Sequence, residues 1–161
     1  MNWKILLSAA IVSLSFIAFL VYVNRESDPD RLFTNLIMQM QEGQYEAIYE
    51  NSSDFLKLNA KNKQTFAERM SNALEIMKQA DSNLDFQRDS AMERTLDEVT
   101  DNGRNESGKH FWIVNKLGSN NDSVQIVASY DNNGLFPKLI DLTVRSKSNK
   151  QQKISALTGT F

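Results

Sequence analysis

Two features of this 161-residue chain have residue types and spacing that could support catalysis, namely its one histidine and one acidic run. His110 is the sole histidine, and histidine is the side chain that most often serves as a general base. An acidic run interleaved with arginines precedes it, and within that run Glu93 and Asp97 are four residues apart. Two neighbouring carboxyl groups can serve as general acid and general base when their environments give them different pKa values. These residues define an enzyme alternative, in which His110 or an acidic residue such as Glu93 is the general base.

The simpler interpretation of both features is structural, because a charged run usually forms a solvated face and a histidine that begins a strand is typically half-exposed. The chain has no cysteine, which excludes a thiolate metal site and a cysteine nucleophile. One imidazole is too few for a histidine-based metal site. No glycine-rich phosphate loop or nucleotide fingerprint occurs. The sequence therefore predicts no catalytic residue, no metal and no cofactor.

Aromatic residues of the C-terminal half are candidates for the lining of a pocket. Trp112, Tyr130 and Phe136 lie in or next to segments with the alternation of strands. Aromatic residues in strands pack more often into a core than around a ligand. Together with His110 and Glu93, they form the set of candidate pocket residues.

The stretch GQYEAIYENSSDF, Gly43 to Phe55, also concentrates polar and aromatic side chains. Tyr45 and Tyr49 are four residues apart, which places them on one face of a helix. Phe55 and Leu58 are predicted to return to the core. This pattern favours a scaffold over an active site.

Three helices are predicted from local signals in the first half of the chain. Asp28 and Pro29 suit the N-cap and the first position of a helix that carries one apolar stripe and ends at Gly43. A shorter helical face follows it, and Asn62 is a plausible cap for the third helix. The apolar residues of that helix recur at helical spacing, namely Phe66, Met70, Ala73, Leu74 and Met77.

The period changes to two from Lys109 onward, which predicts four antiparallel strands joined by polar turns. Before them, residues 81–108 are hard to interpret: a short strand-like start, a charged run that a helix would tolerate, and a polar loop with the turn signal Asn102-Gly103. Helices followed by strands indicate the α+β class. We expect helices packed on a curved antiparallel sheet.

The N-terminal region of the sequence indicates whether the protein is inserted in a membrane. Ile5–Val23 contains no charged residue, and as a helix it rises about 28 Å, close to the roughly 30 Å hydrocarbon core of a bilayer. The apolar run of a cleavable signal peptide is shorter and ends at small residues, whereas bulky residues fill the end of this run. We therefore predict an uncleaved transmembrane signal-anchor helix, with cleavage as the alternative.

Flanking charges predict the orientation of this helix. Lys4 precedes the span, while acidic residues offset the arginines that follow it, and excess positive charge favours the cytoplasmic side. The expected domains are a cytoplasmic N-terminus at 1–4, the anchor at 5–23, a linker at 24–30 and an extracytoplasmic α+β domain at 31–161. The formal net charge is −2. A nucleic-acid binder normally carries a basic face, so the sequence predicts no nucleic-acid partner.

The order of elements resembles the cystatin-like, nuclear transport factor 2-like superfamily. Small secreted bacterial domains of that superfamily carry a pattern similar to Gly43, Tyr45, Ile48, Tyr49, Ser53 and Phe55 of this chain. The stretch VASYDNNGLFPKLIDLTV also looks similar to two long paired strands of such a sheet. The resemblance covers residues 30–160. It implies a cone-shaped α+β fold, in which enzymes work at the mouth of the cone, but no catalytic pattern of the family matches here.

The functional expectation is a membrane-tethered, extracytoplasmic binding or assembly module without catalysis. It would lie in the inner membrane of a bacterium as a single-pass protein, with its C-terminal domain on the periplasmic side. Its partner would be an envelope protein or a small ligand, and a homodimer is left open. The alternative is a small cone-fold enzyme of the isomerase, dehydratase or hydrolase type.

Overall fold

A computed structural model describes residues 3–101, 104–118, 123–146, 153–155 and 159–160. Within these residues the α+β class is confirmed: helices come first and an antiparallel sheet follows. The helices are α1 (Trp3–Glu26), α2 (Pro29–Gln41), α3 (Tyr45–Glu50), α4 (Asp54–Asn59) and α5 (Lys63–Ala80). The strands are β1 (Phe86–Asp101), β2 (Arg104–Leu117), β3 (Val124–Asp131), β4 (Lys138–Ser146), β5 (Lys153–Ser155) and β6 (Gly159–Thr160).

The predicted start and stop signals of α2 are confirmed. The Asp28 carboxylate accepts a hydrogen bond from the backbone N–H of Asp30 at 3.0 Å, and Pro29 occupies the first turn. Gly43 follows the helix with φ near +70°, a conformation that glycine adopts without steric cost. The apolar stripe of α2 is buried, as its spacing predicts, at Phe33, Leu36, Ile37 and Met40.

Short helices after α2 turn the chain back over the sheet. Ser53 is the N-cap of α4 and its hydroxyl accepts a hydrogen bond from the N–H of Leu56 at 3.1 Å. The predicted return of Leu58 to the core is wrong, since Leu58 is 70% exposed and Leu56 is fully buried. Leu58 lies two positions, about 200°, around the helix from Leu56, so one short helix cannot bury both.

The sheet is a meander in which each strand pairs with the next, in the order β1 to β6. Four longer strands, β1–β4, are followed by two short ones. The segment 81–108, which sequence patterns leave ambiguous, contains all of β1 and the start of β2. Asp101 pairs with Arg104 on either side of Asn102-Gly103, a turn signal that lies outside the described residues. The charged run of this segment is strand because β2 pairs with it along its length.

The core lies between the helices and one face of the sheet. Alternate residues of β3 are buried, namely Val124, Ile126, Ala128 and Tyr130. On the helical side, Phe66 is fully buried and its ring lies 5.4 Å from that of Tyr49. Ile48 is buried, and Tyr45, Tyr49 and Phe55 pack against the core from its edge. Packing at these positions agrees with the scaffold interpretation of the Gly43–Phe55 stretch, and the functional role of the stretch stays a prediction.

The helix α1 is the exception to this packing. Val23 near its end is half-buried, but most of its described large apolar side chains are exposed, at Leu7, Ile11, Val12, Leu14, Phe16, Ile17, Phe19, Leu20 and Val21. Across the described residues, no single helix is both long and apolar enough to cross a bilayer by itself, while Ala10–Glu26 and Pro29–Gln41 together meet both conditions with a 63° bend between them. Since α1 continues through Glu26 and α2 begins at Pro29, most of the predicted linker 24–30 is helical.

Candidate functional site

A groove of about 450 Å³ lies where the end of α1 meets the domain. This volume is within the 300–1,000 Å³ typical of small-molecule sites. The end of α1, one face of α2, the α3 helix and the β3–β4 connection form its walls. Its lining residues are Tyr22, Glu26, Leu32, Asn35, Leu36, Gln39, Ile48, Asn51, Tyr130, Phe136, Pro137 and Leu139. We call this feature the anchor groove.

The α2 wall of the anchor groove follows from helical spacing. Leu32, Asn35, Leu36 and Gln39 recur at intervals of three and four, so they share one side of the helix. This side borders the buried stripe of α2, and Leu36 belongs to both. The wall is therefore apolar toward the core and carries amide side chains toward its open edge.

Tyr130 lies on the core face of β3, at the deep end of the groove. It is 4% exposed, and its hydroxyl donates a hydrogen bond to the carbonyl of Leu32 at 3.4 Å. Burial raises the pKa of Tyr130 well above its ordinary value, because a phenolate in this apolar surrounding would lose its hydration. The phenol is therefore neutral at physiological pH and acts as a donor rather than as a base.

Phe136 lies at the outer edge of the groove, where it touches α1. Its ring lies 5.9 Å from that of Tyr22, in an edge-to-face arrangement with 76° between the planes. This geometry is favourable for an aromatic pair. The contact joins the β3–β4 connection to the last turns of α1 and forms one rim of the groove.

An ion pair lies at the bend between α1 and α2. Arg31 Nη1 is 3.3 Å from Glu26 Oε1, and both side chains are partly exposed. Glu26 is the only ionisable carboxylate among the groove residues, and Arg31 offsets its charge. Nearby, the Ser27 hydroxyl donates to the carbonyl of Val23 at 2.9 Å, which fixes the end of α1. The anchor groove is therefore close to neutral.

Neutral amides supply most of the polar chemistry of the groove. Asn35, Gln39 and Asn51 each offer both donor and acceptor atoms. Beside them lie Leu36, Leu139 and the aromatic rings. Such a lining suits a neutral ligand that has an apolar portion and several hydrogen-bonding groups, as a peptide segment has. It offers no pair of acid and base groups for catalysis.

The structure brings together two of the five candidate pocket residues, Tyr130 and Phe136. Trp112 is half-buried on β2, where it pairs with Ser129 and takes no part in the groove. The backbone of His110 pairs with Arg94 and Asp131.

Glu93 lies on β1, where its backbone pairs with Phe111. The side chains of Glu93 and His110 are outside the described residues, so the enzyme alternative that depends on them stays a prediction. Among the residues whose side chains are described, no group of three His, Cys, Asp or Glu residues could hold a metal ion.

A second groove, of about 430 Å³, lies on the other side of α2, against β1 and β2. Its lining includes Phe33, Met38, Asn83, Phe86 and Asn115. The rings of Phe33 and Phe86 meet edge to face at 5.1 Å, so its floor is part of the core packing. It exposes less polar surface than the anchor groove, and we assign it no ligand.

Two of the three acids in the Gly43–Phe55 stretch have a structural role. Lys63, in the first turn of α5, forms ion pairs with Glu46 at 3.0 Å and with Glu50. The hydrogen bond from Lys63 and its positive charge lower the pKa of Glu50, and Glu50 and Glu46 raise the pKa of Lys63 to about 12. The stabilisation from Glu50 is present above pH 4.5 and is lost as pH falls through its lowered pKa. The stabilisation from Lys63 is present below pH 10.5 and is lost as pH rises through about 12.

Replacing Lys63 by methionine tests this cluster. We expect the pKa of the Glu50 carboxyl to rise toward its ordinary value of 4.5, because the neighbouring cation and its hydrogen bond are gone. A pH titration followed by carboxyl-detected NMR measures the shift. Lys78→Met, in the last turn of α5, is the matched control and should leave Glu50 unchanged. Equal titration of Glu50 in both variants would contradict the ion pair.

The resemblance to the cystatin-like, nuclear transport factor 2-like superfamily rests on the order of helices and strands along the chain. Helices followed by an antiparallel meander agree with that order at the level of the α+β class. The cone shape and the superfamily assignment stay predictions. No family model, no curated protein and no solved structure matches this chain.

Proposed function

We propose that the protein is a membrane-tethered, non-catalytic binding or assembly module. In this proposal α1 anchors the chain in the inner membrane of a bacterium and residues 24–161 lie outside the cytoplasm. The anchor groove binds a segment of an envelope protein. The observation that carries the proposal is the pairing of an exposed apolar helix with a groove that opens at the point where this helix enters the domain.

The exposure of α1 supports the tether. A helix that is apolar on all sides is stable either inside a large core or in a membrane, and the domain covers little of it. The uncharged run Ile5–Val23 extends the helical segment Ala10–Glu26 toward the amino terminus. Lys4 before the run and the mixed charges after it favour an outward-facing domain.

The composition of the anchor groove supports binding without catalysis. Asn35, Gln39 and Asn51 can donate to and accept from peptide groups, while the aromatic rim and Leu139 offer contact to an apolar side chain. The buried neutral phenol of Tyr130 donates its one hydrogen to the Leu32 carbonyl, so toward a ligand it can only accept a hydrogen bond, and it adds no base. A tether raises the effective concentration of such a site for partners at the same surface, so a small interface is sufficient.

Site-specific photocrosslinking in native membranes tests the proposal. A benzoylphenylalanine placed at Gln39 in the groove is expected to capture one protein species specifically. The same probe at Glu75, which is exposed on α5, is the control and should not capture it. The proposal fails if both positions capture the same background, or if the probe at Gln39 captures only a metabolite that the protein converts.

A further inference from the structure

The loop at residues 132–137, between β3 and β4, carries an unusual pair of exposed apolar residues. Leu135 is 64% exposed and Phe136 is 41% exposed. Outside α1, these are the only adjacent large apolar residues that are exposed in the described part of the chain. The Asp131 carboxylate accepts a hydrogen bond from the N–H of Asn133 at 2.9 Å, and Pro137 restricts the other end of the loop. The hydrogen bond and the proline restrict the backbone at both ends of the loop, so Leu135 and Phe136 are held at its exposed tip.

The position of the loop relative to α1 indicates what covers it. Phe136 touches Tyr22, and Tyr22 is next to the outer end of the uncharged run Ile5–Val23. Tyrosine at the end of a span prefers the membrane–water interface. A ring packed against Tyr22 lies at the same depth, and the adjacent Leu135 has no protein neighbour that buries it.

Charges around the loop fit the same surface. Lys138 follows the loop and is exposed, and Arg25 is exposed in the last turn of α1. Glu26 is the nearest acid on α1, and its charge is offset by Arg31. The Asp131 carboxylate at the start of the loop opposes these two cations and is hydrogen-bonded to the N–H of Asn133. Arg25 and Lys138 are the groups that can contact anionic lipid headgroups beside the apolar tip.

We propose that residues 132–137 form a second membrane contact, in which Leu135 and Phe136 insert into the headgroup–acyl boundary of the bilayer that holds α1. This inference rests on the proposed tether. It adds that the domain does not rotate freely about its anchor but lies in one orientation, with the rim of the anchor groove at the lipid surface.

Fluorescence quenching by lipids tests the contact in the full chain. The natural absence of cysteine allows one environment-sensitive nitrobenzoxadiazole label per variant, at Leu135→Cys, Gln44→Cys or Leu14→Cys. Each variant is reconstituted into vesicles of phosphatidylcholine and phosphatidylglycerol with a nitroxide on the acyl chains. Gln44 is exposed just before α3, beyond the end of α2 that lies about 20 Å along that helix from the bend, and serves as the control. Leu14 reports on the anchor itself.

We expect the label at Leu135 to emit at shorter wavelength than the label at Gln44 and to be quenched several-fold more strongly by the lipid nitroxide. Quenching at Leu14 without quenching at Leu135 would overturn the loop contact and leave the tether intact. A short-wavelength emission at Leu135 that lipids do not quench would overturn it as well, because it indicates burial against protein, such as a second copy of this chain. Absence of quenching at both positions would overturn the tether and the loop contact together.

Discussion

We expect the replacement of Phe66 by alanine to lower the melting temperature of the domain by roughly 10–15 °C. The ring is fully buried between the helical layer and the sheet, and truncation of a buried phenylalanine costs about 3–5 kcal/mol. In a domain of this size each kcal/mol lowers the melting temperature by about 3 °C. The loss is large against a total stability of about 5–15 kcal/mol. Thermal unfolding of the detergent-solubilised chain, followed by circular dichroism, measures it.

The matched control is Leu58→Ala, which removes an apolar side chain that is already 70% exposed. We expect a shift of no more than a few degrees for this variant, because little apolar area returns to water. Tyr45→Ala should fall between the two, since Tyr45 packs only against the edge of the core. Equal melting temperatures for Phe66→Ala and Leu58→Ala would show that α5 does not pack on the sheet as described.

Two arginines in the middle of α1 are expected to abolish membrane insertion. Ile5–Val23 holds three Ile, four Leu, two Phe and three Val residues, twelve in all. At about −0.3 to −0.6 kcal/mol each, these residues contribute roughly −4 to −7 kcal/mol to insertion. An arginine near the centre of a span costs about 2.5–3.5 kcal/mol. The double variant Ile11→Arg, Leu14→Arg therefore costs roughly 5–7 kcal/mol, which cancels this driving force.

A reporter enzyme that is active only outside the cytoplasm, fused after Phe161, measures both insertion and orientation. The unmodified chain should give an active reporter that stays in the membrane after alkaline extraction. The double-arginine variant should give an inactive reporter, whereas Ile11→Val, Leu14→Val should behave like the unmodified chain. An active but soluble reporter from the unmodified chain would contradict the anchor and favour cleavage.

Local signals explain why the helical half could be predicted well. The cap of α2 at Asp28, its stop at Gly43 and the cap of α5 at Asn62 are encoded within a few residues of each helix end, and the structure has all three. The strand β1 could not be predicted in the same way. Its charged sequence gains strand structure from the ladder to β2, and such pairing depends on a distant segment rather than on local pattern.

The residues of the candidate site also fall into two groups, those that local sequence patterns could indicate and those that depend on distant contacts. Tyr130 and Phe136 could be named from strand and loop aromatics, and both line the anchor groove. Tyr22, Asn35 and Gln39 could not be named as groove residues, because their convergence depends on the bend between α1 and α2 and on the approach of the β3–β4 loop to α1. The amides at i and i+4 beside the apolar stripe of α2 are the one sequence signal that could have indicated them.

If α1 is anchored, the short connection between α1 and α2 limits how far from the bilayer the domain can contact other molecules. Only Ser27 and Asp28 separate the two helices, and a flexible chain of two residues spans only about 8 Å. The ion pair at the bend and the Tyr22–Phe136 contact restrain even that length. A domain of this size is about 40 Å across, so an anchored chain meets other molecules only within about that distance of the bilayer. Its encounters would then be governed by lateral diffusion, as a two-dimensional search among molecules at the same membrane.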